Sequence, residues 1–185
     1  LTPHHQLAIQ KNLMIDFTSE EMSCRLGRIR AAMLEQNLGA FLSSDPAGIR
    51  YATGFRGEPG TLFLTQDEVV LYTSFRTESW ARRQTRSLKI SVCESPFDDA
   101  LRRLPHMTLL GVDVRISHSR MSQFRQQFKE HSVIASDAID QARQIKSEAE
   151  IKKLRRSQLL NEEVFSATLP LIKPGMTERT VQGLI

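Results

Sequence analysis

An alternation in the middle of the chain limits its folds most. Between residues 40 and 135, six short runs rich in apolar and β-branched residues (40–43, 61–65, 69–73, 89–93, 108–113 and 132–135) are separated by segments with helical spacing or turn residues. Strands interleaved with helices must bury a sheet beneath helical layers, so the pattern predicts an α/β fold. The 61–65 and 69–73 runs are joined only by Gln66-Asp67-Glu68, a short polar link that predicts a hairpin. A hairpin inside such an alternation makes the sheet mixed: about six strands flanked by helices.

The helical segments have their own punctuation. Met22, Leu26, Ile29 and Met33 recur on one face of a helix predicted over 18–38, with Thr18 or Ser19 as cap and Glu20 and Glu21 in the first turn. Gly39 is expected to end it in a left-handed conformation. Ser44-Asp45-Pro46 reads as a turn or cap, followed by a glycine-punctuated stretch over 48–60 whose 54–60 part reads as a loop. Further helices are expected over 76–86, over 97–104 before Pro105, and from a Ser119 cap to about residue 129. Asp137 to Gln144 reads as one or two helical turns. Ser147-Glu148-Ala149-Glu150 then matches a capping box opening a long helix with Ile151, Leu154, Val164 and Phe165. Pro170 ends or kinks that helix, Lys173-Pro174-Gly175 turns, and Thr177 caps another. The chain reaches Ile185 inside an amphipathic pattern without a C-cap, which reads as truncation.

Composition removes several function classes. Apolar residues at 40% and charged residues at 25% suit a packed globular chain and argue against disorder. No apolar run approaches the roughly 20 residues of a membrane-spanning helix, so no membrane partner is expected. The net charge of +4 comes mainly from scattered arginines, and the densest group, Lys152, Lys153, Arg155 and Arg156, lies on a helix that also carries Glu148 and Glu150. That is a solvated helix face, and no nucleic-acid partner is expected. Two isolated cysteines, Cys24 and Cys93, make neither a disulfide framework nor a zinc motif, which points to a reducing, cytoplasmic setting.

The residues carry no catalytic constellation. His106, His118 and His131 lack acidic or histidine partners at metal-ligand spacing, and read as surface or half-buried side chains. Asp98-Asp99 suits the first turn of a helix. Cys93 reads as a buried, inert thiol within a strand, and Cys24 lies on the first helix. There is no Gly-x-Ser-x-Gly elbow and no phosphate-binding glycine loop.

Four stretches change the reading. Asp45-Pro46-Ala47-Gly48-Ile49-Arg50-Tyr51-Ala52-Thr53-Gly54-Phe55 resembles a segment of the creatinase/prolidase amino-terminal domain. In that family a later strand ends in a Leu-Thr-Asp-x-Arg-Tyr type motif. Leu71 to Glu78 is the counterpart here, with Arg76 at the motif's arginine but Ser74 and Thr77 in place of its aspartate and tyrosine. Ala142 to Ile151, containing Arg143-Gln144-Ile145-Lys146-Ser147, resembles the junction into the family's pita-bread catalytic domain. Ile172-Lys173-Pro174-Gly175-Met176-Thr177-Glu178 is similar to the turn between that domain's first two helices.

The resemblance implies an organisation and a parent. Residues 1–17 would be an extension, 18–142 a creatinase/prolidase amino-terminal-like domain, and 143–185 the junction and first helices of a pita-bread domain. Active members bind two divalent metals (Mn, Co or Zn) through two Asp, one His and two Glu, and hydrolyse peptide bonds preceding proline. None of those ligands maps onto this chain, so it is expected to hold no catalytic or metal residue and no cofactor. Its expected partners are its own catalytic domain, a second subunit of a homodimer and, in the parent, proline-containing peptides. Its role would be dimerisation and access to the active site. Other parents in the same family, a creatinase or a metal-free protein-binding module, fit the same motifs. Within the 54–60 loop, Arg56 is the candidate for contacting a substrate carboxylate, a task suited to a planar guanidinium. Tyr51 and Phe55 are expected to anchor that loop to the core.

Overall fold

In a computed structural model, the structure describes residues 18–57, 60–85 and 88–184. The 1–17 extension and Arg86, the end of the 76–86 helix, therefore lie outside the described residues. The chain divides into two compact units, the first ending at Gln144 and the second beginning at Ile145.

In the first unit the six apolar runs become β1 (Ala40–Ser43), β2 (Gly60–Thr65), β3 (Val69–Thr73), β4 (Lys89–Val92), β5 (Leu109–Asp113) and β6 (Ser132–Ser136). They form one mixed sheet in the order β4-β3-β2-β1-β5-β6. β2 is antiparallel to both β1 and β3, whereas β1–β5, β3–β4 and β5–β6 are parallel. All strands but β2 therefore run in one direction, and their carboxyl ends share one edge of the sheet.

Two-residue alternation builds two separate cores. Phe41, Leu62, Leu64 and Leu71 point to one face, where they meet α1 (Ser19–Glu35), α2 (Pro46–Thr53) and α6 (Ala138–Gln144). Leu42, Phe63, Val70, Tyr72, Leu110 and Val112 point to the other, beneath α4 (Pro96–Arg103) and α5 (His118–Gln127). Register makes this exact in space: Phe63 lies between its ladder partners Leu42 and Val70, and all three are buried on the same face. Each large side chain so buried contributes about 1.5–3 kcal/mol. Gly111 is the one gap in β5, because a Cβ there would come within 2.8 Å of both Leu38 and Phe41.

Local boundaries differ from the sequence expectation in several places. The helix over 18–38 stops at Glu35, and Asn37, not Gly39, takes the left-handed conformation at φ 55°. Leu38 then donates to the Met33 carbonyl at 2.8 Å, closing the helix end. Gly39 is required for another reason: a Cβ would lie 2.5 Å from Thr108 Cγ2. The stretch from residue 48, to which the sequence assigns no element before the loop at 54, lies in α2 as far as Thr53, capped by the Asp45 carboxylate and with Pro46 in the first turn. The cap of α5 is Ser117, whose hydroxyl accepts from the Arg120 amide, and not Ser119. Cys93 follows β4 instead of lying within it, and it is half-buried.

The second unit is helical: α7 (Glu148–Thr168), a 3-10 turn (Leu169–Leu171) and α8 (Glu178–Gln182). The capping box at its start is formed as expected, with Ser147 and Glu150 satisfying each other's amides at 3.2 and 2.8 Å. Thr177 caps α8, and Gly175 turns the chain at φ 89°.

Candidate functional site

Strand direction gathers the polar connections of the first unit at the carboxyl edge of the sheet, the edge where α/β sheets offer clefts. Here α2, α4 and α5 start from Asp45, Ser95 and Ser117 caps, with α3 (Glu78–Gln84) starting after Thr77. Two polar groupings lie on or near this edge, and a third runs from it toward the opposite edge.

The first surrounds Arg56, which follows the left-handed Gly54 (φ 74°) that ends α2. The Phe55 ring is buried and meets Trp80 of α3 edge-on, with centroids 6.0 Å apart. Gly57 passes so close to that ring that a Cβ would lie 2.5 Å from Phe55 Cζ. The Arg56 amide donates to Gln84 Oε1 at 2.9 Å, and the side chain is half-buried. Residues 54–57 are thus fastened to α3. Arg76 lies exposed in the turn after β3, beside Phe75, which is 77% exposed.

The second grouping joins β1, β5 and α6. Asp113, at the end of β5, accepts from the amides of Ser44 (2.8 Å) and Asp45 (3.3 Å). Burial pushes its carboxyl above the usual carboxylate range, against the pull of the Ser43 hydroxyl and the Ser44 amide. Arg115 bridges Asp140 at 2.9 Å and Asp45 at 3.8 Å, and Arg143 bonds Asp140 at 3.1 Å. The cavity among Asp45, Asp113, Arg115 and Asp140 measures about 10 Å³, water-sized and too small for a peptide.

The third grouping straps α4 across the sheet. Tyr72 donates to Asp99 at 2.8 Å, Arg103 bonds both Asp99 and Glu68 at 2.8 Å, and Lys89 reaches Glu68 at 2.7 Å. Burial and the Asp99 carboxylate raise the Tyr72 hydroxyl far above its ordinary value, so it stays a donor. Burial works to raise Asp99, but the hydrogen bonds from Arg103 and Tyr72 prevail and hold it low. Burial, with Asp99 nearby, also raises the Cys93 thiol, which makes it a poor nucleophile.

Among the described residues, no group of three or more His, Cys, Asp or Glu could hold a metal ion. His131 is half-buried, with Nδ1 accepting from the Thr108 amide at 3.2 Å, while His106 and His118 are exposed. Tyr51 and Phe55 are both buried. Tyr51 reaches further than the loop, because its hydroxyl bonds the Ala142 carbonyl at 2.8 Å. Neither that link nor the Arg115 bridges carries a sequence signal, since the partners are far apart in the chain. No helix among the described residues is long and apolar enough to cross a membrane.

Comparison with known proteins places this arrangement. The chain is 24% identical over 170 residues to the uncharacterized peptidase YqhT of Bacillus subtilis (strain 168), a match covering 85% of this chain and 46% of that protein. The chain thus spans about half the length of this curated relative. Its fold is similar to an Xaa-Pro dipeptidase from Bacillus anthracis (TM-score 0.77, 21% identity), over 88% of this chain and 47% of the other. It is also similar to the N-terminal domain of the cytoplasmic peptidase PepQ from Mycobacterium tuberculosis H37Rv (TM-score 0.57, 19% identity), over 64% of this chain and 97% of that domain. The family model of the creatinase/prolidase N-terminal domain matches residues 25–145, nearly the whole described first unit. With the mixed six-stranded sheet and its flanking helices, this match shows that the chain belongs to the creatinase/prolidase N-terminal domain family.

Proposed function

We infer that this chain is the non-catalytic amino-terminal part of an Xaa-Pro dipeptidase or aminopeptidase, joined to the first helices of that enzyme's pita-bread domain. The observation that carries this reading is the reach of the structural likeness. The match to the Xaa-Pro dipeptidase covers 88% of the chain, more than residues 25–145 make up, so it extends past the family domain. In the longer parent, the hydrolysis of bonds preceding proline would use two divalent metals, which activate water and polarise the carbonyl. The described residues do not fit such a site, and no catalytic step is assigned to them. Its part is to support dimerisation and to shape access, with Arg56 offered to a substrate carboxylate.

The experiment is an assay of Xaa-Pro dipeptide cleavage, with added Mn, by this chain and by a longer polypeptide that contains it. The chain alone should be inactive, and the longer protein should be active until chelator is added. Chelation-sensitive turnover by the chain alone would contradict the reading. A longer protein that cleaves creatine would point to a creatinase, and one with neither metal nor turnover to a binding module. In an active parent, Arg56→Ala should raise KM several-fold and leave kcat unchanged, the pattern of a lost binding contact; unchanged KM removes Arg56 from the site.

A further inference from the structure

Two of the motif stretches meet in space. Asp45 and Tyr51 belong to the first, and Ala142 and Arg143 to the junction stretch some ninety residues later. Two arms connect them. The inner arm is buried: Tyr51 Oη donates to the Ala142 carbonyl at 2.8 Å, in the last turn of α6. Arg25 of α1 stacks over the Tyr51 ring at 4.8 Å, and its guanidinium bonds the Tyr51 carbonyl at 3.3 Å and Glu21 at 2.7 Å. The outer arm is ionic and more exposed, running Asp45, Arg115, Asp140, Arg143. The inner arm has the greater hold, because a buried hydrogen bond is not screened whereas surface ion pairs contribute little.

We propose that these two stretches work as one clamp, which fixes the point where the chain leaves the first unit relative to the loop carrying Arg56, with Tyr51 as its positioning residue. The helix α2 makes this possible. Its eight residues follow the outer arm's Asp45 as N-cap, carry Tyr51 near their end, and run directly into the 54–57 loop. A movement of α2 is therefore shared by the loop and by the last turn of α6, three residues before Ile145. The clamp stands whether or not the proposed peptidase function holds.

Hydrogen exchange on the full chain tests it, comparing wild type with Tyr51→Phe, which keeps the ring beneath Arg25 and removes only the hydroxyl. Exchange of the 143–147 amides should rise about fivefold, the effect of one hydrogen bond, with β1, β2 and β5 unchanged. Unchanged exchange at 143–147 overturns the proposal. So does an increase spread evenly over the sheet, since Tyr51 would then be a core residue and nothing more. Arg115→Gln provides a second reading, decisive if Tyr51→Phe does not fold. It should speed the same amides about twofold at low salt and leave them unchanged at high salt. No local change at low salt overturns the clamp.

Discussion

The two units of this chain are stabilised differently. In the first, the helices spend their apolar faces on the sheet: α1 buries Leu26, Ile29, Ala32 and Met33, and both faces of β2 are covered. In the second, α7 is the longest helix described, yet Thr168 is its only buried residue, and α8 buries none. Leu154, Leu159 and Phe165 are each more than half exposed. What α7 has instead is local: a capping box and acids in its first turn, features worth about 1 kcal/mol each. Most helix stability in proteins comes from packing an apolar face. The contrast teaches that a well-punctuated helix and a well-supported one are separate things, and that the folding free energy of this chain resides in the first unit.

The sharpest way to break that comparison is a pair of matched substitutions. Phe63→Ala empties a fully buried site between Leu42 and Val70, and should cost about 3–5 kcal/mol. Phe165→Ala removes the same ring from a side chain that is 65% exposed, and should cost less than about 0.5 kcal/mol. Urea unfolding of the two variants measures the difference, and equal losses would mean that the second unit shares the core's cooperativity. Next in size is Gly111→Ala, which presses a methyl group against Leu38 and Phe41 and should cost about 1–3 kcal/mol. A neutral result would show that the α1 side of the sheet yields more readily than its packing suggests.

A further effect depends on pH. Asp99 is held below its ordinary value, so its stabilisation is complete above about pH 4 and is lost as the pH falls through the lowered value. Asp113 has the opposite sign, because its raised carboxyl costs stability at neutral pH and that cost is relieved on acidification. Asp99→Asn should therefore cost about 1 kcal/mol at pH 7, with the partial exposure of Asp99 limiting it. The gap to wild type should close in acid. Unfolding midpoints at pH 7 and near pH 3 check this, and a constant gap would remove the carboxylate charge from the account.

How much was legible follows the same division between local and long-range signals. The six strands could be read because β-branched, alternating residues announce themselves within five positions. The caps at Ser147 and Thr177 were equally local, and so was the family resemblance of the motif stretches. The helix α2 was hidden by Gly48 and Gly54, although Asp45-Pro46 marked its start, because eight residues form a helix here only by burying Ile49, Tyr51 and Ala52 against the core. Arg56 could be singled out as a charge on a loop, but its tie to Gln84 could not. The links from Tyr51 to Ala142 and from Arg115 to Asp140 join residues that only the sheet brings together. No sequence pattern carries them.

The first unit carries the creatinase/prolidase N-terminal fold by itself, and its stability should not depend on the second. The direct measurement is equilibrium unfolding of residues 18–144 alone beside the full chain, followed by circular dichroism. The shorter protein should show one cooperative transition, with a midpoint within a few degrees of the full chain's. A shorter protein that unfolds without cooperativity, or that melts more than about 10 °C lower, a shift worth well over 1 kcal/mol for a domain of this size, would contradict it.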